Sequence, residues 1–380
     1  MLKSYALKII FAFVLWRIAL FIIAYSAILI LPIFGNRFPY WDMMLSPTGL
    51  PSWIWGFGNF DGVHYLRIVT MGYESSQYSQ AFFPLYPIFI KIITWYSGNY
   101  LISLISTNFI FLLALFVIYK LFEIDFSKKT AFYTILLLLI FPTSFYFGSI
   151  YSESIFLFFV SSFLYLLRKK NYLAAGIYGF LACSTRILGL WLILVYLIEV
   201  YLENRNQNIK QLLTVNIVAG LLLIPLGLIL YMFYLGVNFN DPLLFLNSQP
   251  AFGAERNNFP IILFPQVFYR YIKMILTIQW SSLLFFNVIL ELIFALFSFI
   301  LLLFSCKKIR FSYWLFSFGC WLTPTLTGTF SSMPRYVLMM FLLLPLFTRM
   351  QKRYYIFFVI LFIILGMLLT ALFTRGYWVA

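Results

Sequence analysis

Charge is what this chain has least of. Asp, Glu, Lys and Arg make up 10% of its 380 residues, and only 11 of those side chains are acidic. A water-soluble domain needs a charged surface, so that class is excluded. Cysteine is scarce too: Cys183, Cys306 and Cys320 lie in or beside apolar stretches at no metal-ligand spacing. That rules out a disulfide framework and a zinc site. Histidine occurs once, at His64, with no ligand spacing around it. No internal repeat, low-complexity tract or soluble domain interrupts the sequence.

What is present is apolar. Hydrophobic residues reach 63% and aromatic residues 22%, with a mean hydropathy of +0.96. An all-α polytopic membrane protein fits this composition. Apolar runs that can span, some of them short, predict about 11 transmembrane helices, at 8–32, 100–121, 130–148, 153–168, 171–184, 187–203, 213–235, 283–305, 311–329, 336–348 and 354–374. The first follows Lys3 and Lys8 and exceeds a signal-peptide core, so it reads as an uncleaved helix. The net charge of +15 is dispersed in short clusters between these runs. That is a topology signal, and nucleic acid is not an expected partner.

The clusters Lys128-Lys129, Arg168-Lys169-Lys170, Arg205 with Lys210, Lys307-Lys308 with Arg310, and Arg349 with Lys352-Arg353 are all expected inside. One segment must then fail to cross. The segment 84–97, with Pro84, Pro87 and Lys91, is expected to lie on the outer surface as an interfacial helix. One domain, 1–380, results, with two outer loops at 33–99 and 236–282. The outer face then holds Asp42, Asp61, Glu74, Glu153, Asp241 and Glu255, and cations that include Arg67, Lys91, Arg186, Arg256, Arg270, Lys273 and Arg335. Cations kept on the disfavoured side suggest an anionic ligand.

Asp61 and His64, three residues apart, share a face if their segment is helical. Together they form a candidate general base, with His64 orienting or tuning Asp61. Asn59 and Asp61 also read as a helix start. Asp42 and Glu74 flank the same loop, each a candidate second carboxylate, metal ligand or plain solvated residue, although metal-ligand spacing is absent. Trp41, Trp53, Trp55 and Tyr73 read as interfacial anchors. Glu153 follows a break at Pro142 and Gly148, where it can cap a helix or face a cavity. Arg186, in Ser184-Thr185-Arg186, and Arg335, beside Pro334 and Tyr336, carry planar donor forks suited to phosphate. Arg17 and Glu291 lie within spans and are candidates for a structural pair.

These residues resemble the PIG-V-like family, the second mannosyltransferases of glycosylphosphatidylinositol assembly, within the GT-C superfamily of membrane glycosyltransferases. The resemblance is carried by Phe60-Asp61-Gly62-Val63-His64, Gly72-Tyr73, Ala81 to Pro87, Tyr151-Ser152-Glu153, Ser184-Thr185-Arg186 and Ser332-Met333-Pro334-Arg335-Tyr336. It departs at Phe60, where the family usually has Trp. A compact chain is more similar to the prokaryotic members. The resemblance implies a GT-C-type fold and inverting transfer of a hexose, mannose by family. The donor would be a polyprenyl- or dolichyl-phosphate sugar, and the acceptor a hydroxyl of a lipid-linked or extracytoplasmic glycan. Asp61 and His64 would be catalytic. Asp42, Glu74, Lys91, Glu153, Arg186, Arg256, Arg335 and Tyr336 would bind substrate. No cofactor or metal is called for, because one phosphate is matched by arginines. The expected location is a multi-pass protein of the plasma membrane with an extracytoplasmic active site.

A transporter or flippase of lipid-linked sugars is the alternative. Such carriers usually show paired half-chain repeats and mid-membrane charges, whereas here the polar residues cluster at one face. An acyl- or phosphotransferase would need a nucleophile–base pair or a metal cluster, and neither is present.

Overall fold

The computed structural model describes residues 2–35, 38–204, 214–253, 256 and 262–379. Arg205 and Lys210 of the basic clusters, and Glu255 of the outer carboxylates, lie outside these. Among the described residues there is no strand. The principal helices are α1 (Leu2–Ile30), α2 (Asp61–Met71), α3 (Leu85–Ile93), α4 (Tyr100–Asp125), α5 (Lys128–Ile140), α6 (Glu153–Arg168) and α7 (Tyr172–Cys183). They continue with α8 (Trp191–Asn204), α9 (Val215–Phe239), α10 (Phe264–Thr277), α11 (Leu283–Ser305), α12 (Phe311–Thr325), α13 (Met333–Leu338) and α14 (Lys352–Thr374).

Most of the apolar runs expected to span carry an α-helix. Five of them, in α1, α4, α9, α11 and α14, are long and apolar enough to cross a membrane. Polar caps mark several starts. Asn99, Ser127, Asn171 and Ser282 accept from backbone N–H groups at the heads of α4, α5, α7 and α11, which satisfies donors a helix start leaves open. Pro142 ends α5 and a 3-10 turn, Ser144–Gly148, leads to α6. The segment at 84–97 holds only the nine-residue α3, far shorter than the roughly 20 residues a span requires.

The run at 336–348 differs from expectation. Instead of one spanning helix it forms the short α13 and a nine-residue 3-10 stretch, Phe341–Arg349, around Pro345. Phe341 to Phe347 are buried by protein on all sides. Irregular helix at membrane depth is tolerated where protein, not lipid, surrounds it.

Helix α4 packs on α6, α6 on α7 and α7 on α9, in one continuous series. Glycine permits the last contact: a Cβ on Gly176 would sit 2.3 Å from the Gly220 carbonyl oxygen. Small residues at crossings let helix backbones approach in membranes.

At one end of the bundle, polar residues bind four helix ends together. Arg310 grips Glu199 through two nitrogens at 2.6 Å and reaches Glu203 at 2.5 Å. Arg168 pairs with Asp125 at 2.5 Å, and the Tyr313 hydroxyl donates to the same carboxylate at 2.8 Å. The basic residues expected inside at 168 and 310 therefore meet in one network. Arg17 and Glu291 do not pair. Arg17 donates to the Gly148 carbonyl at 2.7 Å and lies over the Phe21 and Phe57 rings. Glu291 accepts from Tyr271.

Candidate active site

The site is a cavity of about 1340 Å³ whose lining includes Asp61, His64, Arg186, Arg256, Arg335 and Tyr336. A smaller hollow of about 320 Å³ between Met43, Thr70 and Tyr100 holds none of the predicted residues.

Asp61 is the first residue of α2, where a helix N-terminus favours an anion. Its cap, Phe60, has φ 58° and ψ −112° and offers no side-chain cap bond. That backbone is strained for a residue with a Cβ, and such strain needs surroundings that impose it. They are visible. The Asn59 side chain donates to the Phe373 carbonyl at 2.8 Å, and its own carbonyl accepts from the Tyr151 hydroxyl at 2.9 Å. The Phe60 ring packs among Phe38, Phe373 and Trp378. Asn59 therefore acts as a tether to the end of α14, and does not cap α2.

Asp61 Oδ2 accepts from Arg335 Nη1 at 2.5 Å. Arg335 Nε donates to Glu153 Oε1, which also accepts from Arg186 Nη1 at 2.5 Å. Two carboxylates and two guanidiniums thus alternate in one row, drawn from the heads of α2 and α6, the 184–186 break and α13. Asp61 retains 18% side-chain exposure, Arg186 12% and Arg335 8%, whereas Glu153 has none. Glu153 therefore stands behind the cavity wall as counter-ion to both arginines. The other Asp61 oxygen has no hydrogen-bond partner among the described residues.

His64 lines the same cavity without touching Asp61. Its ring stacks on Phe82 at 5.0 Å and meets Phe252 edge-on, and its buried Nδ1 has no hydrogen-bond partner. Burial holds its pKa below the usual 6.5, with the Asp61 charge pulling the other way and Arg67 adding to the lowering. It is a neutral imidazole at neutral pH. Arg335, not His64, orients Asp61.

Asp42, Glu74 and Lys91 are not brought to this cavity. Asp42 and Glu74 are exposed, and Lys91 lies over the Tyr96 ring. Trp41 stacks with Phe34 and with Trp55, and Trp53 packs on Phe21 and Tyr25 of α1. The Tyr73 hydroxyl donates to Phe82. None of the four reaches the cavity, in keeping with a packing role.

Sequence reasoning missed part of the lining. Asn287 and Glu291 of α11 and Trp378 line the cavity, beside Lys273 of α10, one of the outer cations. The one signal available was that Glu291 is a carboxylate inside an apolar run, a default mark of function in membranes. Among the described residues no group of three or more His, Cys, Asp or Glu side chains is assembled for a metal.

Residues 2–244 match the family model described as mannosyltransferase (PIG-V). A comparison with curated proteins finds no match. Among solved structures, the chain is similar to the Archaeoglobus fulgidus oligosaccharyltransferase tethered by a disulfide to an acceptor peptide containing the NVT sequon. The similarity covers 95% of this chain at 14% identity with a TM-score of 0.43, and the chain spans 55% of that protein's length.

Proposed function

The chain belongs to the mannosyltransferase (PIG-V) family, and from that premise we propose that it transfers mannose from a polyprenyl- or dolichyl-phosphate carrier. The acceptor is a hydroxyl of a lipid-linked or extracytoplasmic glycan, and the anomeric centre inverts. The observation that supports this best is Asp61: one oxygen clamped by Arg335, the other unpartnered, at the edge of a large cavity. A base held in one orientation beside a bound hydroxyl has the geometry that proton abstraction requires.

The free Asp61 oxygen takes the acceptor proton as the acceptor oxygen forms its bond to the anomeric carbon. The bond from that carbon to the phosphate oxygen breaks, and its electron pair leaves with the lipid phosphate. Negative charge grows on the phosphate, where cations fixed in advance stabilise it most. Arg186 and Arg335 are largely committed to Glu153 and Asp61. Arg256 and Lys273, which line the cavity and make no ion pair with any described residue, are therefore the stronger phosphate contacts. With these cations at hand the reaction proceeds without a metal.

The ion-pair network of Asp125, Arg168, Glu199 and Arg310 marks the cytoplasmic end in this reading, and the cavity the opposite end. In this reading transfer takes place on the outer side of the plasma membrane. The test is transfer from polyprenyl-phosphate-mannose by purified protein, with Asp61→Asn as control. Transfer by the wild type alone, with donor binding retained in the variant, supports the reading. Near-normal turnover by Asp61→Asn removes the base, and absence of donor binding removes the function.

A further inference from the structure

Part of the cavity lining comes from beyond residue 244, where the family match ends. It includes Tyr271 on α10, Asn287 and Glu291 on α11 and the turn at 328–332. Asn287 and Glu291 stand one helical turn apart and so present to the same side.

The Asn287 amide donates to the Trp378 carbonyl at 2.9 Å. That bond fixes which way the carboxamide points, and leaves its Oδ1 buried with no hydrogen-bond partner among the described residues. A buried acceptor left unsatisfied costs about 1–3 kcal/mol, so it calls for a donor. Glu291 is held in place by the Tyr271 hydroxyl. Tyr271 is itself fixed by the Phe330 N–H at 3.1 Å and by Thr329 Oγ1 at 3.1 Å. Amide oxygen and carboxylate thus make the same demand on a ligand, several hydrogen-bond donors about one helical turn apart.

Arg256, within 3.3 Å of Ser331 and Ser332, lines the same cavity together with Arg270 and Lys273. The wall carries no excess negative charge to draw a cation, so its donors are best supplied by neutral hydroxyls. The volume agrees: about 1340 Å³ exceeds the roughly 300–1,000 Å³ of a single small-ligand pocket. Two substrates can occupy it together.

We propose that this wall is the acceptor subsite and that it takes a neutral, hydroxyl-rich glycan headgroup. The proposal rests on the transfer reading above. A sugar offers one hydroxyl to Asp61 while its neighbours satisfy Asn287 Oδ1 and Glu291. Asp61, His64, Glu153 and Arg186 lie within residues 2–244, which match the family model, whereas Asn287 and Glu291 of this wall lie beyond them.

The test uses full-length protein in detergent, polyprenyl-phosphate-mannose as donor, a set of octyl glycosides led by octyl α-mannoside as acceptor probes, and 1-O-octylglycerol as a hydroxyl probe without a ring. Donor binding and acceptor KM are measured separately. Asn287→Ala and Glu291→Gln are each expected to raise the octyl mannoside KM about tenfold and leave donor affinity unchanged. Asn287→Ala removes one hydrogen bond to a tail carbonyl, so it stays informative if Glu291→Gln fails to fold. An unchanged KM in Asn287→Ala overturns the proposal, as does an equal loss of donor binding. A wild type that binds donor but uses octylglycerol as well as any glycoside, or uses no glycoside, overturns the acceptor class and leaves the transfer reading standing. A wild type that binds no donor sinks both.

Discussion

Glu153→Gln separates a substrate contact from a structural counter-ion. Glu153 Oε1 receives Arg186 Nη1 at 2.5 Å and Arg335 Nε, and its side chain is fully buried. With Asp61, the two carboxylates and two guanidiniums sum to zero charge. The amide keeps the shape but leaves one net positive charge among groups no more than 18% exposed. Solvent cannot screen that charge well, so the value for a surface pair does not apply. Removing one member of a buried pair costs about 3–5 kcal/mol. The lower half of that range is expected here, because the amide oxygen still accepts hydrogen bonds. The assay is a thermal melt in detergent alongside transfer kinetics. The midpoint should fall by several degrees and kcat should drop, because Arg335 no longer holds Asp61 from a fixed position. An unchanged midpoint with a raised KM would refute this reasoning and make Glu153 a substrate contact.

Glu199→Ala at the opposite end removes the carboxylate that grips Arg310 through two nitrogens and leaves it Glu203 alone; a loss smaller than the roughly 3–5 kcal/mol of a stranded buried charge should appear in the same melt without a change in KM. His64 has a pKa held below 6.5 by burial, so as pH falls the unfolded chain takes up the proton first. Stability from this group is therefore complete above about pH 6.5 and declines below it, and His64→Phe should flatten the melting midpoint across that window. Gly176→Val places a side chain against the Gly220 carbonyl, 2.3 Å from where its Cβ must sit. It should lower the melting midpoint by several degrees, and an unaltered midpoint would show that α7 and α9 can move apart freely. In a Cys306→Ser background, since Cys306 alone among the cysteines is exposed, Glu74→Cys and Lys352→Cys should label from opposite sides of the membrane. Labelling from one side would break the topology.

The sequence by itself settled the class of structure, because apolar length and composition dictate helix wherever a backbone must satisfy its own hydrogen bonds in lipid. It placed the five long apolar helices, and the breaks at Pro142 and at Ser184–Arg186, since proline and polar residues interrupt such runs locally; it missed the helix Phe264–Thr277 and the break-up of 336–348. It also singled out Asp61, Glu153, Arg186 and Arg335, because a charged group is too costly in an apolar chain to be left without use. Tertiary structure decided which of these face one another. The same residues could have bound substrate separately, yet 274 positions separate Asp61 from the Arg335 that clamps it, and no local pattern encodes that meeting. Packing also removed Asp42, Glu74 and Lys91 from the site and turned Glu153 inward. It added Asn287 and Trp378 to the cavity lining, which meet where the chain beyond α14 packs against Phe60. Long-range burial, unlike helical periodicity, leaves no period in the sequence to read.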